Sequence, residues 1–398
     1  MQAEQTVRVP RARVKGARRP LATATYLLRN SSKTLPLVGV IMLAVMLIAG
    51  IVAMINSITY SIETIYSYSA NFLAINPRGD PTQTPKFREI VEKGTPVKIE
   101  RTMVCRAVGT QVNSIVGKWP FAVLGMKSDT GDVAFWLRRL NVTSLDGRLP
   151  KKGKPEVVVS DPVARNLHVH IGSVVLKPDS QDNYSPYPVK VVGIARTDDW
   201  TIVGDYDYLA QNHFPPIDDL VFFAYNRADQ AKLDGWAFKK FKGDRVMLWA
   251  HREIDRQTRT MFRTLFAILN VVIGLLVVVI TFMMGMLINI YQSQRLVEFG
   301  LLQALGYTKK QLLKRVLKES AVVVVLGWAL GITLGYGVLV VVKRTLMDPN
   351  AFAVMLHDPV AFRYTLPVPV AIMLVATLTV ILRFRNFDPV SVVERRLV

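Results

Sequence analysis

The sequence predicts a membrane protein: an α-helical bundle of four transmembrane spans, with a large α+β extracytoplasmic domain inserted between spans 1 and 2. Three observations predict it. Hydrophobic residues make up 51% of the 398, too many for a purely soluble chain. Four runs without a charged residue lie at about 35–55, 265–290, 320–342 and 366–382. The net charge of +20 gathers beside those runs and not in the insert.

Taken in order, residues 1–34 form a basic cytoplasmic leader carrying Arg8, Arg11, Arg13, Lys15, Arg18, Arg19, Arg29 and Lys33 against Glu4. Span 1 is assigned to 35–57. A hydrocarbon core of roughly 30 Å needs about 20 helical residues, so this run and the other three are long enough to cross. No small-residue cleavage pattern follows it in Asn56-Ser57-Ile58-Thr59-Tyr60, so it is expected to be a retained anchor and not a removed signal peptide.

Residues 58–260 form the inserted domain and mix both charge signs, as a solvated domain does. The β-branched run from Lys154 to Ser160 predicts a strand, and Asp161-Pro162 then predicts a short helix capped by Asp161. Gly172 precedes a second apolar run at 173–177; further strands are expected within 187–194 and 221–225. Loops rich in Pro, Asp and Asn are expected at 178–188 and 198–216. Ile58, Ile62, Ile65, Tyr66, Ser69 and Phe72 recur near helical spacing after span 1, as do Ile254, Met261 and Leu265 before span 2. These predict either a stalk that transmits force or amphipathic helices packed on the base of the domain. Cys105 is the single cysteine, so the domain must rely on its own core.

Span 2 is assigned to 261–290, a cytoplasmic arm to 291–319, span 3 to 320–342, an extracytoplasmic loop to 343–365, span 4 to 366–382 and a cytoplasmic tail to 383–398. Pro367 and Pro369 open span 4, where the first helical turn tolerates a missing N–H. The arm and its flank carry Arg295, Lys309, Lys310, Lys314, Arg315 and Lys318, and the tail adds Arg383, Arg385, Arg395 and Arg396. By the positive-inside rule both termini and the arm face the cytoplasm. The same placement assigns the basic excess to topology and anionic lipid, not to nucleic acid.

Catalytic chemistry finds no support: G-x-x-x-x-G-K-[ST], H-E-x-x-H, G-x-S-x-G and paired cysteines are all missing from the sequence. No catalytic or metal-binding residue is assigned. His168 and His170 alternate at an expected strand end but lack a third ligand, and Asp198, Asp199, Asp205, Asp207, Asp218 and Asp219 are read as solvated loop carboxylates. The spans carry no charge of the kind that marks a proton path, although Asn270, Thr281 and Asn289 leave a modest polar one. Gly327, Gly331 and Gly335 share one helical face, predicting close helix packing, either at a dimer seam or among the chain's own spans.

The segment from Gln294 to Val316 is the most informative. Leu296, Phe299, Leu302 and Leu305 predict an apolar ridge, Gly306 can end their helix, and Lys310, Lys314 and Lys318 form a cationic face suited to lipid or to acidic partner residues. Arg295-Leu296-Val297-Glu298-Phe299-Gly300-Leu301-Leu302-Gln303-Ala304-Leu305-Gly306-Tyr307-Thr308-Lys309-Lys310-Gln311-Leu312 resembles the signature R-x-x-E-[IF]-G-x-[LM]-[RK]-A-[LI]-G-x-[TS]-x-x-Q-[IL] of FtsX-like permeases. Gln303 departs from it, standing where a base is usual. The tail from Arg383 to Val390 is similar to the family's closing basic-Asp-Pro pattern, and 156–194 is similar to the MacB-like periplasmic core domain.

The resemblance implies the membrane subunit of an ABC transporter of the type that includes lipoprotein-releasing and DevC-like permeases, in the bacterial cytoplasmic (inner) membrane. It implies a dimer with a second copy or a paralogue, a separate ATPase subunit holding ATP and Mg, and coupling through Arg295, Leu296, Glu298, Phe299, Gly300, Leu302, Ala304, Leu305 and Gly306. A membrane-fusion or adaptor protein joins the partners if the assembly is tripartite. The function expected is mechanotransmission for export, efflux or extraction. The alternatives are an FtsX-like regulator of a cell-wall hydrolase and a membrane sensor without transport.

Overall fold

The computed structural model describes residues 23–78, 80–213 and 218–385. The leader arginines from Arg8 to Arg19, and the tail from Asn386 onward with Arg395 and Arg396, lie outside the described residues. The chain divides into two compact units. One takes in Met1–Ala49, Val272–Gly335 and Phe362–Val398; the other takes in Gly50–Val271 and Tyr336–Ala361.

Among the described residues, four helices are long and apolar enough to cross a membrane: Ser31–Ile65, His251–Ser293, Lys309–Asn350 and Pro359–Arg383. Each extends beyond its uncharged run into polar flanks. The third is α-helical over Lys309–Val342 and ends in a π turn at Lys343–Met347 and a 3-10 turn at Asp348–Asn350. The fourth is interrupted at Leu366, between Pro359–Thr365 and Pro367–Arg385.

The inserted domain is built on one ten-stranded mixed sheet. Its strands are β1 (Leu73–Asn76), β2 (Ile99–Ser114), β3 (Gly117–Met126), β4 (Ser144–Gly147), β5 (Glu156–Ser160), β6 (Val174–Leu176), β7 (Val189–Arg196), β8 (Ile202–Asp205), β9 (Asp219–Ala224) and β10 (Met247–Trp249). They run in the order β10-β1-β9-β2-β3-β8-β5-β7-β4, with β6 on β7. β2 is the hinge of this order, since its first half pairs with β9 from Ile99 to Cys105 and its second half with β3 from Arg106 to Ser114. β3–β8 and β5–β7 are the parallel pairs.

Side chains alternate across a strand, and β1 and β9 use both faces. Leu73, Ile75, Leu220 and Phe222 pack with Phe87, Val91, Leu233 and Phe241 on one side. Ala74, Val221 and Phe223 enter the larger core around Trp136 on the other. Trp136 is fully buried and its indole Nε1 donates to Thr201 Oγ1 at 2.9 Å, so its polar edge is satisfied where water cannot reach.

Several sequence expectations are corrected here. The helix Asp161–Leu167 begins one residue earlier than the cap reading: Ser160 precedes it, and Asp161 sits in its first turn bound to Arg165 at 3.0 Å and Arg196 at 2.6 Å. His168 is the left-handed residue ending that helix, with φ +54°, so it and His170 occupy a turn and not a strand end. The expected loop at 198–216 contains β8 and the helix Tyr206–Asn212, started by Asp205, whose carboxylate accepts from Tyr208 N. Asp218 pairs with Arg106 at 2.6 Å and Asp199 accepts from Ser67 Oγ at 2.8 Å, so these carboxylates hold structure instead of merely facing solvent. The helix after span 1 stops at Ile65, and Phe72 lies beyond it.

Candidate functional site

The arm folds as a short helix, Leu296–Ala304, followed by the start of Lys309–Val342. Gly306 separates them at φ +93°, a left-handed backbone that glycine adopts without a Cβ clash. Gly306 N also bonds Gln303 O at 2.9 Å, satisfying a terminal carbonyl. Thr308 Oγ1 accepts from Gln311 N at 3.3 Å and opens the next helix.

A charged cluster ties the two helices together. Arg295 is about 4% exposed and its Nη1 donates to Glu319 Oε2 at 2.6 Å, while its Nε donates to Glu298 Oε2 at 3.0 Å. Arg315 reaches Glu319 Oε1 at 3.1 Å and stands 4.0 Å from Glu298. Arg295 also lies over the rings of Tyr291 and Phe299, with its guanidinium carbon 5.4 and 5.0 Å from their centroids. Burial works against its charge, but Glu298 and Glu319 outweigh it and raise the guanidinium above its ordinary value. Among the described residues two arginines share two glutamates, and this balance of charge offsets the cost of burying Arg295 and Glu319.

The apolar residues of the arm divide into two sets. Phe299 and Leu302 are buried with Leu312, Val316 and Val380, and Leu296 packs at the edge of this core. The expected ridge is therefore largely turned inward, against the chain's own helices. Val297, Leu301 and Leu305 are exposed, at 41%, 60% and 77%, and recur every four residues. Ala304 is exposed beside them, and Gly300 is buried with Phe299. Lys310, Lys314 and Lys318 are all exposed.

The glycine face of span 3 meets span 1. A Cβ on Gly327 would stand 2.7 Å from Ile41 Cβ, and one on Gly331 would stand 2.7 Å from the Met42 carbonyl oxygen. Gly335 is looser, with Met46 Cγ at 3.7 Å. Of the two readings of this stripe, packing within the chain is the one seen at Gly327 and Gly331.

Comparison with known families supplies the identity. A model described as the MacB-like periplasmic core domain matches residues 37–249, more than half of the chain, and one described as the FtsX-like permease C-terminal region matches 270–389. The chain belongs to the FtsX-like permease family, with a MacB-like periplasmic core domain. Among solved structures, this permease is similar to the periplasmic region of MacB from Actinobacillus actinomycetemcomitans, at 12% identity and a TM-score of 0.26, covering 47% of this chain and 92% of that one. It is also similar to the extracellular domain of the noncanonic ABC-type transporter YknZ from Gram-positive bacteria, at 11% identity and a TM-score of 0.25, covering 45% of this chain and 98% of that one. Comparison with curated proteins gave no match.

A permease of this family is the transmembrane component of an ABC transporter, which implies an ATPase partner, and its four apolar helices make it a multi-pass membrane protein. Among the described residues no group of three or more His, Cys, Asp or Glu side chains stands where it could hold a metal ion. Sequence reasoning missed Arg315 and Glu319 as members of the arm's cluster. The signal was available: an Arg and a Glu four apart, at the mouth of an apolar run, face the same side of one helix.

Proposed function

We propose that this permease couples ATP binding and hydrolysis in a separate ABC ATPase, which holds the ATP and Mg, to motion of its extracytoplasmic domain, for export, efflux or extraction of a substrate. The observation that carries the reading is the arm. Its helix is clamped to the base of span 3 by the Arg295–Glu319 pair, yet it leaves Val297, Leu301 and Leu305 exposed beside the lysine face. An apolar stripe on a rigidly held helix is a surface for a partner, and a clamp lets a push on that stripe move the span. The arm and both termini face the cytoplasm in this reading, because the basic residues flank them. The permease works as a dimer with a second copy or a paralogue, and a membrane-fusion or adaptor protein joins it where the assembly spans two membranes. Span 2, a single helix from His251 to Ser293, suits mechanical transmission to the domain without passage of substrate between the spans.

The test uses the permease purified with its cognate ATPase. Leu301→Asp with Leu305→Asp places two charges on the exposed stripe and leaves the core of the arm untouched. Expected is loss of permease-dependent stimulation of ATP turnover, by about tenfold, with an unchanged unfolding midpoint. Full stimulation by the double variant would sink the coupling role of this stripe.

A further inference from the structure

The extracytoplasmic domain contains a cavity of about 860 Å³, within the roughly 300–1,000 Å³ typical of ligand pockets. Its floor is formed on the sheet, with Ala74 and Asn76 of β1, Cys105 to Gly109 of β2, and Asp219 and Val221 of β9. Its roof is one face of the His251–Ser293 helix, with Ile254, Gln257, Thr258 and Met261 at helical spacing. Tyr68, Phe72, Trp119, Phe121 and Trp136 supply aromatic walls. Met247, Trp249 and Met261, themselves partly exposed, stand at its margin.

The charged groups of the lining are Arg78, Arg106 and Asp219. Arg106 is already engaged, with its Nε on Asp218 at 2.6 Å and its Nη1 on the His213 carbonyl at 3.5 Å. Arg78 also lines the cavity but is exposed to solvent. Asp219 is bonded by Asn76 Nδ2 at 2.5 Å, a neutral donor. His213 also lines the cavity, but its Nε2 is enclosed and has no hydrogen-bond partner among the described residues. A carboxylate at an aromatic-walled cavity can accept from an ammonium, which also brings a cation for the ring faces.

We propose that this cavity binds an amphiphilic amine, with its apolar body among the aromatic walls and its ammonium donating to Asp219. The proposal does not depend on coupling to an ATPase. The acid side is set by the groups around Asp219: burial pushes its carboxyl up to about 6, Asn76 opposes this, Asp218 adds to it and Arg106 lowers it. Burial and Arg106 together lower His213, keeping its ring neutral. Cys105, buried beside Asp219, is pushed well up and stays a thiol. Amine binding therefore strengthens as pH rises through about 6, when Asp219 ionises.

The test is equilibrium dialysis of the full chain in nanodiscs, with empty nanodiscs subtracted, using 1-naphthylmethylamine, 1-naphthylmethanol and 1-naphthoate as matched probes. Expected at pH 7.5 is amine binding about tenfold tighter than either other probe, an increment of about 1.4 kcal/mol. That preference should vanish at pH 5 and in Asp219→Asn, which keeps the shape of the side chain. Gly109→Phe, at a position where an added Cβ meets nothing within 4 Å, should fill the space and abolish binding of the amine. Equal binding of the three probes at pH 7.5, no saturable binding by the wild type, or an undiminished preference in Asp219→Asn would each overturn the proposal.

Discussion

Replacing Arg295 by methionine tests the clamp between the arm and span 3. The change removes the guanidinium but keeps an unbranched chain over Tyr291 and Phe299. Removing one partner of a buried ion pair costs about 3–5 kcal/mol, because the other charge is left without compensation. Here Glu319 keeps Arg315 at 3.1 Å, so the lower end applies, about 3 kcal/mol. Glu298 is about 36% exposed, and its bond to Arg295 is therefore partly screened. Glu298→Gln should cost only about 0–1 kcal/mol. Glu319→Leu takes from Arg295 its 2.6 Å partner and from Arg315 its 3.1 Å partner and should again cost about 3 kcal/mol, whereas Arg295→Met with Glu319→Leu removes both charges of the buried pair, leaves Arg315 beside Glu298 and should recover most of the loss. The assay is the unfolding midpoint of the full chain in nanodiscs, read beside stimulation of the cognate ATPase. The clamp has a coupling role if the double variant regains its midpoint but not its stimulation. A single Arg295→Met variant no less stable than Glu298→Gln would refute the structural reasoning, and a double variant with full stimulation would refute the coupling role.

Two further predictions concern the spans and the domain. Gly331→Ala would press a methyl to 2.7 Å from the Met42 carbonyl oxygen, so spans 1 and 3 must separate at a cost of about 1–3 kcal/mol, while Gly335→Ala meets only ordinary contact and should be neutral or slightly stabilising; unfolding midpoints of the two variants check this, and equal values count against the seam. Asp234 is buried in the helix Gln230–Lys240, where burial pushes its carboxyl up to about 7 against the opposing hydrogen bond from Gln230. An unfolded Asp titrates near 3.9, so the native state binds the extra proton in between: the stabilisation is full below about pH 4 and lost as pH rises through about 7. Asp234→Asn should accordingly leave the unfolding free energy unchanged at pH 4 and raise it at pH 8 by on the order of a few kcal/mol, with the midpoint moving accordingly; an identical difference at both pH values would show that Asp234 does not titrate with folding.

The spans and the inserted domain were legible because lipid imposes a length and charge rule that sequence obeys locally. The strands β5, β7 and β9 were legible for a similar reason, as β-branched and aromatic runs bounded by turn residues. The long hairpin of β2 and β3 was not. β2 carries the polar residues Arg106, Thr110 and Asn113 among its apolar positions, the first two of them buried, and a strand paired with different neighbours along its two halves has no single buried face to advertise. The acidic residues from Asp198 to Asp219 misled by composition. Asp205 starts a helix, Asp218 holds Arg106 and Asp219 lines the cavity, three roles set by partners far away in the chain.

The arm shows why periodicity finds a face but not its partner. Between Leu296 and Leu305 two apolar sets satisfy helical spacing: Phe299 with Leu302, and Val297 with Leu301 and Leu305. Which set turns inward depends on Leu312 and Val316 of the next helix and on Val380 of span 4, and nothing between Leu296 and Leu305 specifies those contacts. The distinction governs how any substitution there is to be understood. Phe299→Ala empties a core position and should cost about 3–5 kcal/mol, so lost ATPase stimulation in that variant follows from a loosened arm whether or not Phe299 touches the partner. Charges at Leu301 and Leu305 disturb no buried contact, and a loss of stimulation there reports on the interface itself. The exposed stripe therefore carries the test of coupling, while the buried ridge and the Arg295–Glu319 pair determine how firmly that stripe is held.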